Sequence, residues 1–482
     1  MQTVILCEQC NHSFTPEPTQ LPFPFWCQSA PEASKAEAAQ LIALEEIELQ
    51  RYDIELERLR NTVRNLELGR TALFRQIQQH RNSSISIGRV PTEILEIIFA
   101  DLADVEYFLS IADNDGCQAI AAPLFVATQV CTLWRNIVTS HPEWWTSIDV
   151  DIFSLKRDIN PLLDIFFHNS KSHPLTIRIV DSGRPEDMDD FDESDTYYKH
   201  PTPYGLSAFI NLLQQAPRIE HLEINTYEYV FSCLKTHKLI PDSPITFNIL
   251  RSFTYHGALE PDFEDDEWFC NGLLEAPLLS DVTIINSPPP NLFQLDRLTS
   301  LTILQVDGDG LPEMLSALVT CTTLHSLIFD KDDIEPFVLP IATILPSVRF
   351  LSVGESGSSH AMIFDYLTLP SLETLETTVA ENWPHESLRD MIRRSVSSLK
   401  TLTVIDDSSI RKLDSSSLLE LFGLCPELTV LKLDRLRGEL AVGYILPVLE
   451  GQCPSLTEIR VAKSQMDEAE KIVRSTVRIV GV

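Results

Sequence analysis

Glycine is scarce in this chain, with sixteen in 482 residues, and none sits in a Gly-rich phosphate loop or a G-x-S-x-G elbow. An H-E-x-x-H pair is missing too, and histidines such as His141, His168 and His173 have no metal partners nearby in sequence. The chain therefore carries no signature of a nucleotide-dependent enzyme, a serine hydrolase or a zinc protease. A non-catalytic protein without a cofactor is expected. Positive charge is also short: 37 Lys and Arg against 70 Asp and Glu leave a formal charge of -33. That balance argues against phosphate backbones and anionic membrane surfaces, and so against nucleic acid and membrane as partners. A neutral or basic protein surface suits it better. No apolar run approaches the roughly 18 residues a membrane helix needs. The ten cysteines lack framework spacing, and the first residues lack a charged start, apolar stretch and cleavage site. A reducing, intracellular location, cytoplasmic or nuclear, is the expectation.

What is present belongs to a folded protein, since 44% of residues are apolar and 22% charged. The length exceeds what one compact core accommodates, so several domains or an extended array follow. Acid is concentrated in Glu186–Asp195 and Glu264–Glu267, which read as solvated loops. Near the start, Cys7 and Cys10 have the spacing of half a zinc site. His12 and Cys27 are the candidates for completing it, and ordinary thiols in a proline-containing tip over residues 1–33 are the alternative.

Ser34-Lys35-Ala36-Glu37 has the form of a capping box and predicts a helix start. From there Ile42, Glu45, Leu49, Tyr52, Leu56, Leu59, Val63, Leu66, Arg70, Leu73 and Ile77 step by alternating three and four. This is a heptad seam, apolar except at Glu45 and Arg70, with Glu46, Glu48, Arg51, Glu55, Glu57, Arg58, Arg60 and Arg64 between. A coiled coil over 34–82 and a homodimer through it are one reading. An amphipathic helix folded against its own domain is the other.

The next segment opens Val90-Pro91-Thr92-Glu93-Ile94-Leu95, with proline suited to a first helical turn. The predicted helix through Leu102 is apolar around most of its circumference. It needs burial on two sides, and a short domain covers only one of them, so the other marks a partner site. After an irregular stretch, Val126, Val130, Cys131, Leu133, Trp134, Ile137 and Val138 return to helical spacing, followed by a strand with Ile148, Val150 and Ile152. Three of the six tryptophans lie between 134 and 145, which concentrates a hydrophobic unit here.

Val90-Pro91-x-Glu93-Ile94-Leu95-x-x-Ile98-Phe99, then Val130-Cys131-x-x-Trp134-Arg135, then Pro142-x-x-Trp145 resemble the F-box. More narrowly they resemble the F-box-like domains numerous in mushroom-forming fungi, which also tend to carry a coiled coil just upstream. The resemblance implies docking onto the Skp-family adaptor of a cullin-RING ubiquitin ligase. By position it implies that Pro91, Ile94, Leu95, Ile98, Phe99, Val130, Cys131 and Trp134 meet the adaptor or form the core beneath it. The stretch Ala103–Ala122, with Asp113-Asn114-Asp115-Gly116, departs from the compact pattern as an insertion. It is either a harmless loop or an obstacle to docking.

Beyond residue 150 the pattern apolar-x-x-apolar-x-apolar recurs ten times, clearly from 219, 298, 324, 348, 399, 428 and 456 and more weakly from 250, 279 and 372. From 324 onward the steps are 24, 24, 27, 29 and 28, in the range of leucine-rich repeats. Helical stretches at Leu311–Val319, Ser387–Val396, Ser415–Leu424 and Tyr444–Glu450 separate copies. Each copy is a strand plus helix that buries its apolar face only by stacking, so a solenoid over 151–482 is predicted. Residues between the core leucines face outward. Those proposed to meet a protein substrate are His221, Glu223, His256, Glu376, Lys432, Asp434, Glu458 and Arg460. The complete expectation is an α/β chain: a cysteine-containing tip, a coiled-coil helix, a small helical F-box-like domain over 85–150, and a leucine-rich-repeat-like solenoid. Functionally it is the substrate receptor of a Skp–cullin–F-box ligase. The alternatives are a repeat scaffold without ligase association, or a metal-stabilised N-terminal module that directs binding.

Overall fold

The computed structural model describes residues 4–7, 12–15, 32–84, 90–103, 109–114, 117–180, 201–225, 229–240, 244–256, 267–285, 292–304, 311–329, 343–354, 360–379, 384–395, 399–406, 420–434, 453–461 and 477–481. It divides into two units, Met1–Leu95 and Glu96–Val482.

In the first unit, β1 (Val4–Cys7) and β2 (His12–Phe14) form an antiparallel hairpin in which Val4 lies opposite Phe14. The helix α1 (Glu32–Ser84) runs 53 residues, about 80 Å at 1.5 Å per residue. It starts two residues before Ser34, which places the expected capping box inside the first turn rather than at the cap. Glu48–Arg51 and Glu55–Arg58 pair one turn apart along the helix. The hairpin touches the helix through Phe14, whose ring centroid is 4.5 Å from that of Tyr52, with the Arg51 guanidinium 5.6 Å above it.

In the second unit, helix α2 (Thr92–Ala103, entered from the first unit) leads into β3 (Leu109–Asn114) and β4 (Cys117–Ala121). Then come α3 (Pro123–Ala127), α4 (Thr132–Ser140), β5 (Ser147–Asp151), α5 (Asn160–Ser170), β6 (Leu175–Val180), α6 (Pro203–Leu213) and β7 (Ile219–Asn225). The middle holds α7 (Tyr229–Thr236), β8 (Ser252–Tyr255), α8 (Glu267–Leu274), β9 (Asp281–Ile285), β10 (Ser300–Leu304), α9 (Leu311–Leu318) and β11 (Ser326–Phe329). The last part holds β12 (Thr343–Ile344), β13 (Phe350–Val353), α10 (His360–Tyr366), β14 (Leu367–Thr368), β15 (Thr374–Val379) and α11 (His385–Ser395), then β16 (Thr401–Asp406), β17 (Val430–Asp434), β18 (Glu458–Val461) and β19 (Arg478–Gly481).

Fifteen of these strands form one sheet in the order β4-β3-β5-β6-β7-β8-β9-β10-β11-β13-β15-β16-β17-β18-β19. Every neighbour pair is parallel except β3–β4. All ten predicted repeat starts lead into strands. In nine of them the strand begins two residues after the first apolar position, because that residue belongs to the turn entering the strand. There one carbonyl of each repeat accepts two successive N–H groups of the next: Thr299 from His325 and Ser326, His325 from Arg349 and Phe350, Arg349 from Glu373 and Thr374. This ladder locks each repeat's register to its neighbour before the sheet begins.

Alternation then puts two side chains of each strand inward. One inward row runs Leu301, Leu327, Leu351, Leu375, Leu402 and Leu431 in register, all buried. A second runs Ile303, Phe329, Val353, Thr377 and Val404. Helices cover this face: Phe231 of α7 approaches Tyr255, and Phe269 of α8 meets Phe253. The array is a leucine-rich-repeat-like solenoid, longer than the sequence pattern indicates, since β5 and β6 extend it at one end and β19 at the other. The helix expected at 311–319 forms as α9 and that at 387–396 as α11. Of 415–424 only residues 420 onward are described, helical from 420, and 444–450 lies outside the described residues, as do both acidic runs apart from Glu267. Within the 103–122 insertion, β3 and β4 pair antiparallel as a hairpin. This hairpin joins the sheet, Ser110 opposite Asp149 and Ile111 opposite Val150.

Candidate functional site

Helix α2 separates its apolar residues into two faces. Leu95, Phe99 and Ala103, spaced by four, are buried, whereas Ile94, Ile97, Ile98 and Leu102 are exposed. Phe99 fixes the helix against α4: its ring meets Trp134 edge-on with centroids 5.0 Å apart. Trp145, behind α4, is buried and donates its indole N–H to the Val138 carbonyl at 3.0 Å. The turn between α3 and α4 is held by Arg135, whose Nε donates to the Thr128 carbonyl at 2.9 Å.

The result is a packed helical support carrying exposed apolar side chains. Outside α1, thirteen large apolar residues are exposed among the described residues. Seven of them fall between Ile94 and Leu133: Ile94, Ile97, Ile98, Leu102, Val126, Val130 and Leu133. Only six are spread over all the rest, so this segment is where apolar surface is left open. Of the residues expected to meet an adaptor, Pro91, Ile94, Ile98 and Val130 are exposed, Cys131 and Trp134 half-buried, and Leu95 and Phe99 enclosed. Ile97 (58% exposed), Leu102, Val126 (61%) and Leu133 complete the surface and were not singled out from the sequence. For Ile97 and Leu102 the signal was present in the all-round apolar pattern of α2, and for Val126 and Leu133 in the helical spacing of apolar residues from 126 to 138.

The sheet's outward side is the second candidate surface. At one end Ser110, Asp149, Arg178 and Glu223 align across four strands. The Ser110 hydroxyl donates to Asp149 at 3.1 Å, and Arg178 Nε donates to Glu223 at 2.9 Å. Burial holds the Asp149 carboxyl above the usual carboxylate range, against the lowering effects of Ser110 and Arg178. At the other end Glu376, Thr403, Lys432 and Arg460 align, with Arg460 Nε donating to Glu458 at 2.6 Å. Between them the same row holds Thr254, Thr283, Thr302, Ile328 and Ser352, without a charge.

The predicted substrate residues thus fall into two groups. His221 and Glu223 on β7, with His256 just after β8, form one. Glu376, Lys432, Asp434, Glu458 and Arg460 form the other. Six strand spacings separate β7 from β15, about 29 Å at ~4.8 Å each. They make two charged ends of a long surface rather than one site. Arg178 and Asp149, absent from the sequence-based set, belong to the first end.

No group of three His, Cys, Asp or Glu residues is arranged for a metal among the described residues. Cys7 lies opposite His12 in the hairpin register, while Cys10 and Cys27 lie outside the described residues. No described helix is long and apolar enough to cross a membrane. No protein-family model and no curated protein matches the chain. Among solved structures it is similar to a chain in the crystal structure of the Rad7 and Elc1 complex in yeast, at 14% identity and a TM-score of 0.32, over 86% of this chain and 97% of that one.

Proposed function

We propose that the protein is a non-catalytic substrate receptor of a Skp–cullin–F-box ubiquitin ligase. It takes a Skp-family adaptor, and through it a cullin, on the open faces of α2 to α4, and a protein substrate on the outward side of the sheet. The observation that carries this reading is the clustering of seven exposed apolar residues on a helix support whose sequence resembles an F-box. Leu95, Phe99 and Trp134 then act from beneath, holding the helices in place, and Ile94, Ile97, Ile98, Leu102, Val126, Val130 and Leu133 make the contact. The sheet's charged ends and hydroxyl-rich middle suit a protein segment with basic and acidic groups apart. Functionally the chain divides into the tip 1–33, the coiled-coil helix 34–82, the adaptor segment 85–150 and the array 151–482.

The test is binding of the full chain to purified Skp-family adaptor. The full chain is required because the β3–β4 hairpin pairs with the array. Ile97→Asp and Val130→Asp put a carboxylate into a contact that excludes water, and each is expected to weaken binding by about 30-fold or more. Both sites are exposed, so the melting temperature should not change. Ile344→Asp, an exposed control in the array, should bind like wild type. Absence of wild-type binding, or indifference to both substitutions, refutes the reading. It would leave the second one, favoured by incorporation of the hairpin into the sheet: α2 to α4 as the cap of a repeat scaffold.

A further inference from the structure

The seam of α1 contains two charges, and their positions carry more information than their presence. Written as heptads, Ile42, Leu49, Leu56, Val63, Arg70 and Ile77 occupy the first core position, and Glu45, Tyr52, Leu59, Leu66 and Leu73 the second. The hairpin meets this seam at Tyr52, while Ile42, Leu49, Leu56, Val63, Leu66, Leu73 and Ile77 all stay at least 41% exposed, with Leu66 at 70%. Glu45 and Arg70 are exposed as well. An apolar stripe of this length, open on a single helix except where Phe14 rests on Tyr52, which itself stays 38% exposed, calls for a second helix.

We infer that the occupant is a second copy of this chain, running antiparallel, in the register that sets Glu45 of each copy against Arg70 of the other. In that register residue numbers in each layer sum to a constant, and first core positions face second ones throughout. Ile42 meets Leu73, Leu49 meets Leu66, Tyr52 meets Val63, and Leu56 meets Leu59 across the central twofold. Both seam charges are neutralised, each pair between two apolar layers. A parallel dimer stacks Glu45 on Glu45 and Arg70 on Arg70, two like-charge layers inside the core. Flanking charges do not decide the orientation. Antiparallel pairing brings Asp53 to Arg60 but Glu46 to Glu67, and parallel pairing brings Glu55 to Arg60 but Glu48 to Asp53. The seam pair therefore sets direction and register, the role polar residues at core positions serve in coiled coils. The overlap from Ile42 to Leu73 is about 47 Å long at 1.5 Å per residue, and the two Ser84 ends point in opposite directions.

Charge reversal on the full chain tests this, read as the dimer dissociation constant by sedimentation equilibrium. Wild type is expected to dimerise. Glu45→Arg alone, or Arg70→Glu alone, creates two like-charge layers in the antiparallel dimer, and each should raise the dissociation constant by about 10-fold or more. The double variant Glu45→Arg/Arg70→Glu restores both pairs and should return to near the wild-type value. In a parallel dimer neither single reversal changes the number of like-charge layers, so single variants that dimerise like wild type overturn the proposal. A monomeric wild type, a trimer or tetramer, or failure of the double variant to recover overturns it equally. Circular dichroism of each variant verifies that α1 remains helical, since both positions are exposed.

Discussion

Thr377 occupies a place where its neighbours in register are Val353 and Val404, and it is fully buried. Its hydroxyl finds no hydrogen-bond partner among the described residues. A buried, unsatisfied hydroxyl costs about 1–3 kcal/mol relative to an apolar group of the same shape. Thr377→Val keeps the β-branch and removes that cost, so it should stabilise the array by about 1 kcal/mol, seen as a raised urea midpoint with an unchanged slope. An unchanged or lowered midpoint would show that the hydroxyl is satisfied. At this scale the sequence is least informative. Leu95 and Ile97 are both apolar residues on one helix, and nothing in their identities says which meets the chain's own core. Trp134 decides that by meeting Phe99 edge-on, and Trp134 lies 35 positions further along.

At the scale of elements the sequence speaks clearly where a local pattern has one physical meaning. Apolar-x-x-apolar-x-apolar means a turn residue followed by two inward strand positions, and each copy became a strand. β5 follows the same pattern as Trp145-Thr-Ser-Ile148-Asp-Val150, with a tryptophan in the leading place, whereas before β6 that place is held by Pro174. The hairpin was hidden for another reason: Asp113-Asn114-Asp115-Gly116 has turn chemistry, but β3 gains its second partner, β5, from a strand more than thirty residues on. Close packing is likewise invisible locally. Gly205 lies in the first turn of α6, its N–H donating to the Thr202 hydroxyl at 3.0 Å. A Cβ there would lie 1.9 Å from the Ile152 carbonyl oxygen, so helix and strand end approach as only glycine permits. In an exposed helix Gly→Ala stabilises by about 1 kcal/mol. Here the clash is with backbone and the sign reverses: Gly205→Ala should destabilise by about 2 kcal/mol or more. Thermal unfolding checks it, and a variant as stable as wild type would mean that α6 shifts freely on the sheet.

For the whole molecule the governing quantity is the formal charge of -33, which no single ion pair offsets. Pairs such as Arg178–Glu223 and Lys400–Glu373 lie at or near the surface, where each contributes about 0–1 kcal/mol and is weakened by salt. Repulsion among 70 acids facing 37 bases opposes the folded state and is weakened by salt too, so the two responses have opposite signs. The excess of acid decides between them. Between about 0.01 M and 0.1 M salt the screening length falls from about 30 Å to about 10 Å. That removes repulsion between distant repeats of the array while leaving contacts within a pair mostly intact. The melting temperature of the full chain should therefore rise with sodium chloride over this range. A falling melting temperature would show instead that surface pairs outweigh the net charge.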